Sequence, residues 1–320
     1  MDDRLLGICL ARGVFLRSEA MALGYDDRAI ALQVRAGVWH RVRRGAYTFG
    51  DVWEAADARM RHAIRARAVA RAAKTDVVLS HTTAVLEHTA THWGLDLTDI
   101  HLTRLDGRTG RAEAGVRQHR GRVHPGDLGG TAHLRVMAPA RAALELTAVA
   151  GTEQSLVSIN AMLHAGSFTV EDLRARYAAM KYWPGALATD LVIRLADPRL
   201  ESAGETRSAY ALWREGLPTW EPQYRIEDRS GRFVARLDFA WPELRVWVEF
   251  DGREKYLRFR RDGETIADAV LREKRREERV RELTGWICVR ITWADLADPR
   301  RVAARIRAAF ASQAAASRAG

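Results

Sequence analysis

The stretch 232–251 constrains this chain more than any other. Two runs suited to strands, 232–240 and 244–251, flank Trp241-Pro242-Glu243, whose proline favours a turn, so a hairpin is predicted. Successive side chains of a strand point to opposite faces. Leu244, Val246, Val248 and Phe250 therefore share one face, and Arg245, Trp247, Glu249 and Asp251 the other. With the turn at Pro242 and Glu243, Asp238 falls opposite Trp247 and diagonal to Glu249, at about 7–8 Å between backbones. Burying carboxylates beside an apolar face is costly unless something compensates, and a hard divalent cation, Mg²⁺ or Mn²⁺, is the usual compensation for an oxygen-ligand cluster. Such an ion would polarise a phosphodiester and lower the pKa of a bound water, which is hydrolytic chemistry on nucleic acid.

The flanking segments extend this constellation. A helix over 202–216 sets Glu205, Ala209 and Leu212 on one face, so Glu205 projects from an inward stripe, a place that a rim glutamate covering the core would also take. Lys255 follows Asp251 by four residues and is one of only four lysines, with Lys74, Lys181 and Lys274, among 51 basic residues. An ammonium can shed its proton and activate a water, whereas a guanidinium effectively cannot. A charged helix over 264–283 carries Arg272, Lys274, Arg275, Arg276, Arg279 and Arg281 beside Glu273, Glu277 and Glu278. It reads as a solvated helix laced with i,i+4 pairs, with Arg272, Lys274 and Arg275 as its candidate DNA contacts. A β-branched central strand over 285–293 and a final amphipathic helix follow, and the Ala- and Ser-rich stretch 311–320 is expected to fray.

A chain of 320 residues with 47% hydrophobic content can bury a sizeable core and is expected to divide into more than one unit. The predicted boundaries are 1–52, 53–194, 195–310 and a flexible tail, 311–320. A formal charge of +10 favours a polyanionic partner, although the preference for arginine over lysine also fits a GC-rich genome. Residues 17–50 read as two short helices and a hairpin, with Ser18 and Asp26 or Asp27 as N-caps and Gly24 and Gly37 as terminators. This is a winged helix-turn-helix outline. Ala29, Ile30, Leu32, Gln33 and Val34 give the second helix an apolar face, leaving Arg28 and Arg35 on the other, and 39–49 forms the wing. From Arg28 to Gly50 there are five arginines, Arg28, Arg35, Arg41, Arg43 and Arg44, and not one carboxylate. One-signed clustering suits phosphate contacts, and a protein-interaction domain with a solvated basic face is the alternative.

Other features exclude function classes. Cys9 and Cys288 fit neither a disulfide framework nor a thiolate metal site, so a reducing compartment is expected. No apolar run reaches membrane-spanning length, and the chain opens on Asp2 and Asp3, so a cytoplasmic protein without membrane partners is predicted. His88 and His92 stand four apart near His81, yet no third ligand of zinc-site spacing accompanies them, and Ser80-His81-Thr82-Thr83 reads as a helix cap. No metal is expected there. All ten histidines precede position 165, which argues against a histidine-base nuclease in the second half.

Five motifs in order resemble the DUF559 group of very-short-patch-repair-like endonucleases, in the PD-(D/E)XK superfamily. They are Ser202-Ala203-Gly204-Glu205, Leu237-Asp238 through Pro242, Val248-Glu249-Phe250-Asp251-Gly252, Glu273 through Glu277, and Gly285-Trp286 with Arg290-Ile291-Thr292-Trp293. The likeness spans roughly residues 198–300. It implies a restriction-endonuclease-like mixed sheet flanked by helices, with Asp238 and Glu249 as Mg²⁺ or Mn²⁺ ligands and Glu205 as an auxiliary metal-binding acid. Asp251 stands where that superfamily usually has a lysine, a departure that Lys255 would have to make good. Upstream, Leu16-Arg17-Ser18 to Tyr47, then Ser80-His81-Thr82-Thr83-Ala84 and His101-Leu102-Thr103, resemble the AbiEi-type antitoxin and transcriptional-regulator family, a winged helix before a mixed α/β domain.

The expected fold class is thus α/β (α+β), in three parts: winged helix, AbiEi-like α/β domain and nuclease-like domain. The expected function is a metal-dependent DNA endonuclease of repair, restriction or phage defence, with Glu205, Asp238, Glu249, Asp251 and Lys255 as its catalytic set. The alternative is an AbiEi-like antitoxin or repressor with a nuclease fold that does not turn over. DNA is the expected partner, and double-strand cutting by such a site calls for two active sites, which a homodimer would supply; the resemblances add a toxin or a repair protein.

Overall fold

Asp2 starts the first helix, α1 (Asp3–Arg12): its carboxylate accepts the Arg4 and Leu5 amides at 3.0 and 3.3 Å, satisfying donors that a helix start leaves over. After β1 (Phe15–Leu16), the two short helices form as α2 (Arg17–Ala22) and α3 (Asp27–Arg35), and the wing as β2 (Trp39–Arg43) and β3 (Ala46–Phe49). Asp26 caps α3 through the Ala29 amide at 2.7 Å, and Gly24 and Gly37 take the positive φ that ends each turn. Ser18 is not a cap. Glu19 reaches back to the Leu16 amide at 2.7 Å, so α2 starts at Arg17 and Ser18 lies in its first turn. The sheet runs β1-β3-β2 over a core of Leu5, Phe15, Ile30, Trp39, Tyr47 and Phe49.

The computed structural model describes residues 2–108, 110, 112–113, 115–124, 126–131, 133–180, 186–252 and 265–319. The chain divides into two units, Met1–Ala196 and Asp197–Gly320. In the first, α4 (Gly50–Ala55) and α5 (Ala58–Ala72) follow the wing. Next come β4 (Val77–Leu79), α6 (His81–His88), β5 (Ile100–Arg104), β6 (Ala112–Glu113), β7 (Val116–Arg120), β8 (Leu128–Thr131) and β9 (Leu134–Met137), then helices α7 (Pro139–Leu146), α8 (Thr152–His164), α9 (Val170–Ala178) and α10 (Ala186–Leu195). The six strands are ordered β6-β7-β5-β4-β9-β8, with β5–β7 and β4–β9 parallel. Helix α5 packs on both sheets: Arg71 donates to the Val14 carbonyl and pairs with Glu19 at 2.5 Å, and Arg67 grips Glu87 with two bonds of 2.8 Å. These ties join the winged helix and the six-stranded sheet within one unit.

The second unit contains α11 (Ala203–Arg214), β10 (Glu221–Glu227), β11 (Phe233–Trp241), β12 (Val246–Asp251), α12 (Ile266–Thr284), β13 (Ile287–Thr292) and α13 (Pro299–Ala319). Its sheet is ordered β10-β11-β12-β13, antiparallel except for the parallel β12–β13 pair. Phe239, Trp241, Val246, Val248 and Phe250 share a core with Leu212 of α11 and Ile306 of α13. Trp247, on the opposite face, packs with Leu237, Ala240 and Val280 of α12. The predicted alternation along β12 is therefore observed from Val246 onward, and the mixed α/β class is the class observed.

One expectation is corrected. The turn takes four residues, 242–245, with Arg245 at φ 54, so Leu244 and Arg245 leave the strand and Phe239 pairs with Val248. Trp247 accordingly pairs with Ala240 and not with Asp238. In the stretch 312–319, within the tail expected to fray, α13 is helical to Ala319, a run its alanines favour, and the Gln313 amide donates to the Arg245 and Gly285 carbonyls at 3.1 and 2.9 Å. Among the described residues no helix is long and apolar enough to cross a membrane.

Candidate functional site

The basic face of the winged helix forms as its residue types require. Arg28, Arg35, Arg41, Arg43 and Arg44 are all exposed, and among the described residues none of the five forms an ion pair with a carboxylate. The nearest acid on α3, Asp27, is engaged by Arg17 through bonds of 2.8 and 2.6 Å that pin α2 to α3. Ile30 turns to the core, but Leu32, expected on the apolar face, is 58% exposed. Positions 28, 32 and 35 follow i, i+4, i+7 spacing, so Leu32 shares its face with Arg28 and Arg35. A helix face that offers two guanidiniums around an apolar side chain can contact phosphates, guanine edges and thymine methyl groups.

In the second unit, Glu205, Asp238 and Glu249 are buried, and each acid is held by the protein. Ser202 caps α11, and Glu205 accepts from the Ser202 hydroxyl at 2.7 Å, the Glu201 amide at 3.1 Å and the Gln223 side-chain amide at 2.9 Å. Gln223 sits at φ 56, a left-handed conformation unfavourable for a side chain of this kind. It stands where β10 passes Asp238. Asp238 accepts the Phe250 amide at 2.8 Å, replacing a ladder bond where β11 and β12 part. Glu249 faces Arg276 of α12 at 3.2 Å, and Arg276 also pairs with Glu273. Burial alone would lower the Arg276 pKa, but Glu273 and Glu249 outweigh it and raise it above its ordinary value. Asp251, on the edge of the site, pairs with Arg290 at 2.9 Å, and Arg290 in turn pairs with Glu277.

Asp238 and Glu249 thus lie on adjacent strands, each next to the last paired residues, Phe239 and Val248, with Asp251 further along β12. The all-oxygen donor set suits Mg²⁺ or Mn²⁺ in kind. Its arrangement does not fit a three-carboxylate site: guanidinium and amide donors supply the compensation a cation was expected to supply, and among the described residues Glu205, Asp238 and Glu249 do not gather to ligand distance as a trio. Lys255 lies outside the described residues. On α12, Lys274 and Arg275 are exposed and Arg272 is half-buried. Sequence reasoning missed Gln223, Arg276 and Arg290. The motif Glu273 through Glu277 contained the signal for Arg276, which α12 aims at the sheet and not at solvent. The rings of His88 and His92 donate to the Met137 and Ala90 carbonyls at 2.7 and 2.8 Å.

Residues 10–50 match the family described as "Transcriptional regulator, AbiEi antitoxin". Two curated proteins of Mycobacterium tuberculosis are similar to this chain. They are "Uncharacterized protein MT2308" of strain CDC 1551 / Oshkosh and "Uncharacterized protein Rv2248" of strain ATCC 25618 / H37Rv, each 31% identical over 170 residues. The alignment takes in 53% of this chain and 59% of either relative, so the chain spans about three-fifths of their length. No solved structure matches significantly.

Proposed function

We propose that this chain is a DNA-binding regulator of the AbiEi antitoxin type that grips duplex DNA through its N-terminal winged helix. The observation that carries the reading is the exposed face of Arg28, Arg35, Arg41, Arg43 and Arg44, free of carboxylates, on a segment that matches this regulator family. In this reading α3 enters the major groove, Arg35 and Leu32 read base edges, and the wing arginines hold phosphates. A toxin protein is the partner the family's name suggests, and the cytoplasm is the compartment.

Anisotropy titrations with a duplex from upstream of the chain's own coding sequence test this. Arg35→Ala is expected to weaken specific binding by about 1–3 kcal/mol, whereas Arg43→Ala should weaken binding to all duplexes alike and flatten the salt dependence by about one unit of slope. Binding that ignores salt, or survives an Arg28→Ala/Arg35→Ala double replacement, would remove the basis of the reading.

A second reading is a Mg²⁺- or Mn²⁺-dependent endodeoxyribonuclease in the second unit, directed by the same winged helix. The helix, three antiparallel strands, helix and parallel strand of that unit, with Asp238 and Glu249 on adjacent strands, support it, as a PD-(D/E)XK core has that order. The test is nicking of supercoiled DNA by the purified chain with either ion. Metal-dependent nicking abolished by Asp238→Ala would favour this reading; equal nicking by wild type and variant, or none, would end it.

A further inference from the structure

The polar cluster around the start of α6 has no part in either reading. Ser80, His81, Thr83, His101, Thr103, Asp127, Arg141 and Glu145 are all more than nine-tenths buried, in one region of the six-stranded sheet. Burying so many polar groups is costly unless they act on one another or on something bound. At its centre three imidazoles meet. Parallel pairing of β5 and β7 sets His101 level with Arg117, and Thr103 level with His119, so His101 and His119 share a sheet face one diagonal step apart. His101 Nδ1 lies 2.9 Å from His119 Nε2. The His81 ring, from the first residue of α6, stacks on His119 with centroids 3.7 Å apart.

We propose that His81, His101 and His119 bind one transition-metal dication of the zinc class, leaving a coordination position open. One nitrogen from each ring already lies within 4.8 Å of the other two. Tetrahedral zinc with bonds of about 2.0–2.1 Å needs ligand nitrogens about 3.3 Å apart, so closing the trio takes a shift of roughly 1–2 Å. The surrounding shell suits such a centre. Ser80 Oγ sits 3.0 Å from His81 Nδ1, leaving Nε2 as that ring's ligand atom. Glu145 accepts the His81 amide at 3.2 Å and is itself held by Arg141 at 2.8 Å. These bonds fix His81 at φ 51, a strained backbone for a side-chain-bearing residue, which folds retain where the placement of a side chain matters. Thr103, level with His119 on the sheet face of His101, has a buried hydroxyl with no hydrogen-bond partner among the described residues, a group suited to a metal-bound water.

A hydrogen-bonded His101–His119 pair without metal is the competing account. The two separate on Co²⁺ and Zn²⁺ titration of the full chain after stripping with a chelator. The expected result is one equivalent bound, with the visible absorption of tetrahedral Co²⁺ and an upward shift in melting temperature on adding Zn²⁺. His119→Ala, at a half-buried strand position, should weaken binding by more than about 100-fold, and Ser80→Ala, which keeps all three rings, by about 10-fold. His88→Ala should bind as wild type does. Wild-type uptake no greater than that of His119→Ala, or a Co²⁺ signal removed by Asp238→Ala and retained in His119→Ala, would overturn the proposal.

Discussion

Replacing Arg276 with alanine is expected to lower the unfolding free energy of the second unit by about 3 kcal/mol, among the largest single-residue effects in the chain. The Arg276 guanidinium lies 3.2 Å from Glu249, whose side chain is only 7% exposed, and also bonds the Arg236 carbonyl at 3.1 Å. Removing the cation leaves a carboxylate that has already lost most of its hydration, which costs far more than the intact pair contributes. Urea titration of the variant measures the loss. Glu249→Gln placed in the Arg276→Ala background should recover a large part of it, since the amide carries no charge. A loss under 1 kcal/mol, or no recovery in the double variant, would show that Glu249 is compensated elsewhere. The same variant separates the two functional readings. If the acids serve a cation, Mg²⁺ should restore the midpoint of Arg276→Ala but not that of Arg276→Ala/Glu249→Gln. For a regulator in which Arg276 is the structural counterion, Mg²⁺ should leave both unchanged.

This dependence on Arg276 shows where sequence stops being informative. The caps and glycines of α2 and α3 act over three or four residues, so Asp26, Gly24 and Gly37 announced the winged helix, and only the competing reach of Glu19 displaced Ser18. Alternation along β12 likewise identified the face shared by Trp247 and Glu249. Register was not legible, because it depends on turn length, and a left-handed Arg245 stretched a two-residue turn to four. Strand β10, with polar residues and Gln223 at positive φ, carries no clean period of two, so the partner of Glu205 went unseen. The histidines failed for a different reason. His81 was weighed against its sequence neighbours His88 and His92, whereas its spatial neighbours come from β5 and β7, and a parallel pairing that lies far away in sequence leaves no spacing rule to find.

The same three rings make the metal-free chain sensitive to acid. Unfolded imidazoles titrate near 6.5, whereas in the fold His101 and His119 titrate at about 4 and His81 well below its ordinary value, in each case through burial first and neighbouring positive groups second. Between those limits the unfolded chain binds protons that the native chain refuses. Stability is therefore complete above the unfolded value and declines as pH falls toward the folded one. For a single imidazole the loss is roughly 2 kcal/mol between pH 6.5 and pH 5. The rings adjoin one another, so protonating one raises the cost of protonating the next and the losses compound. Amide hydrogen exchange in chelator, read on peptides from β5 and β7, should show protection falling steeply across this interval, while peptides from β11 and β12 in the second unit change little. His119→Gln keeps a polar group of similar reach but cannot titrate, and should flatten the decline. If wild type and His119→Gln lose protection in parallel, the acid sensitivity belongs to other groups, and the imidazoles are less deeply desolvated than their surroundings indicate.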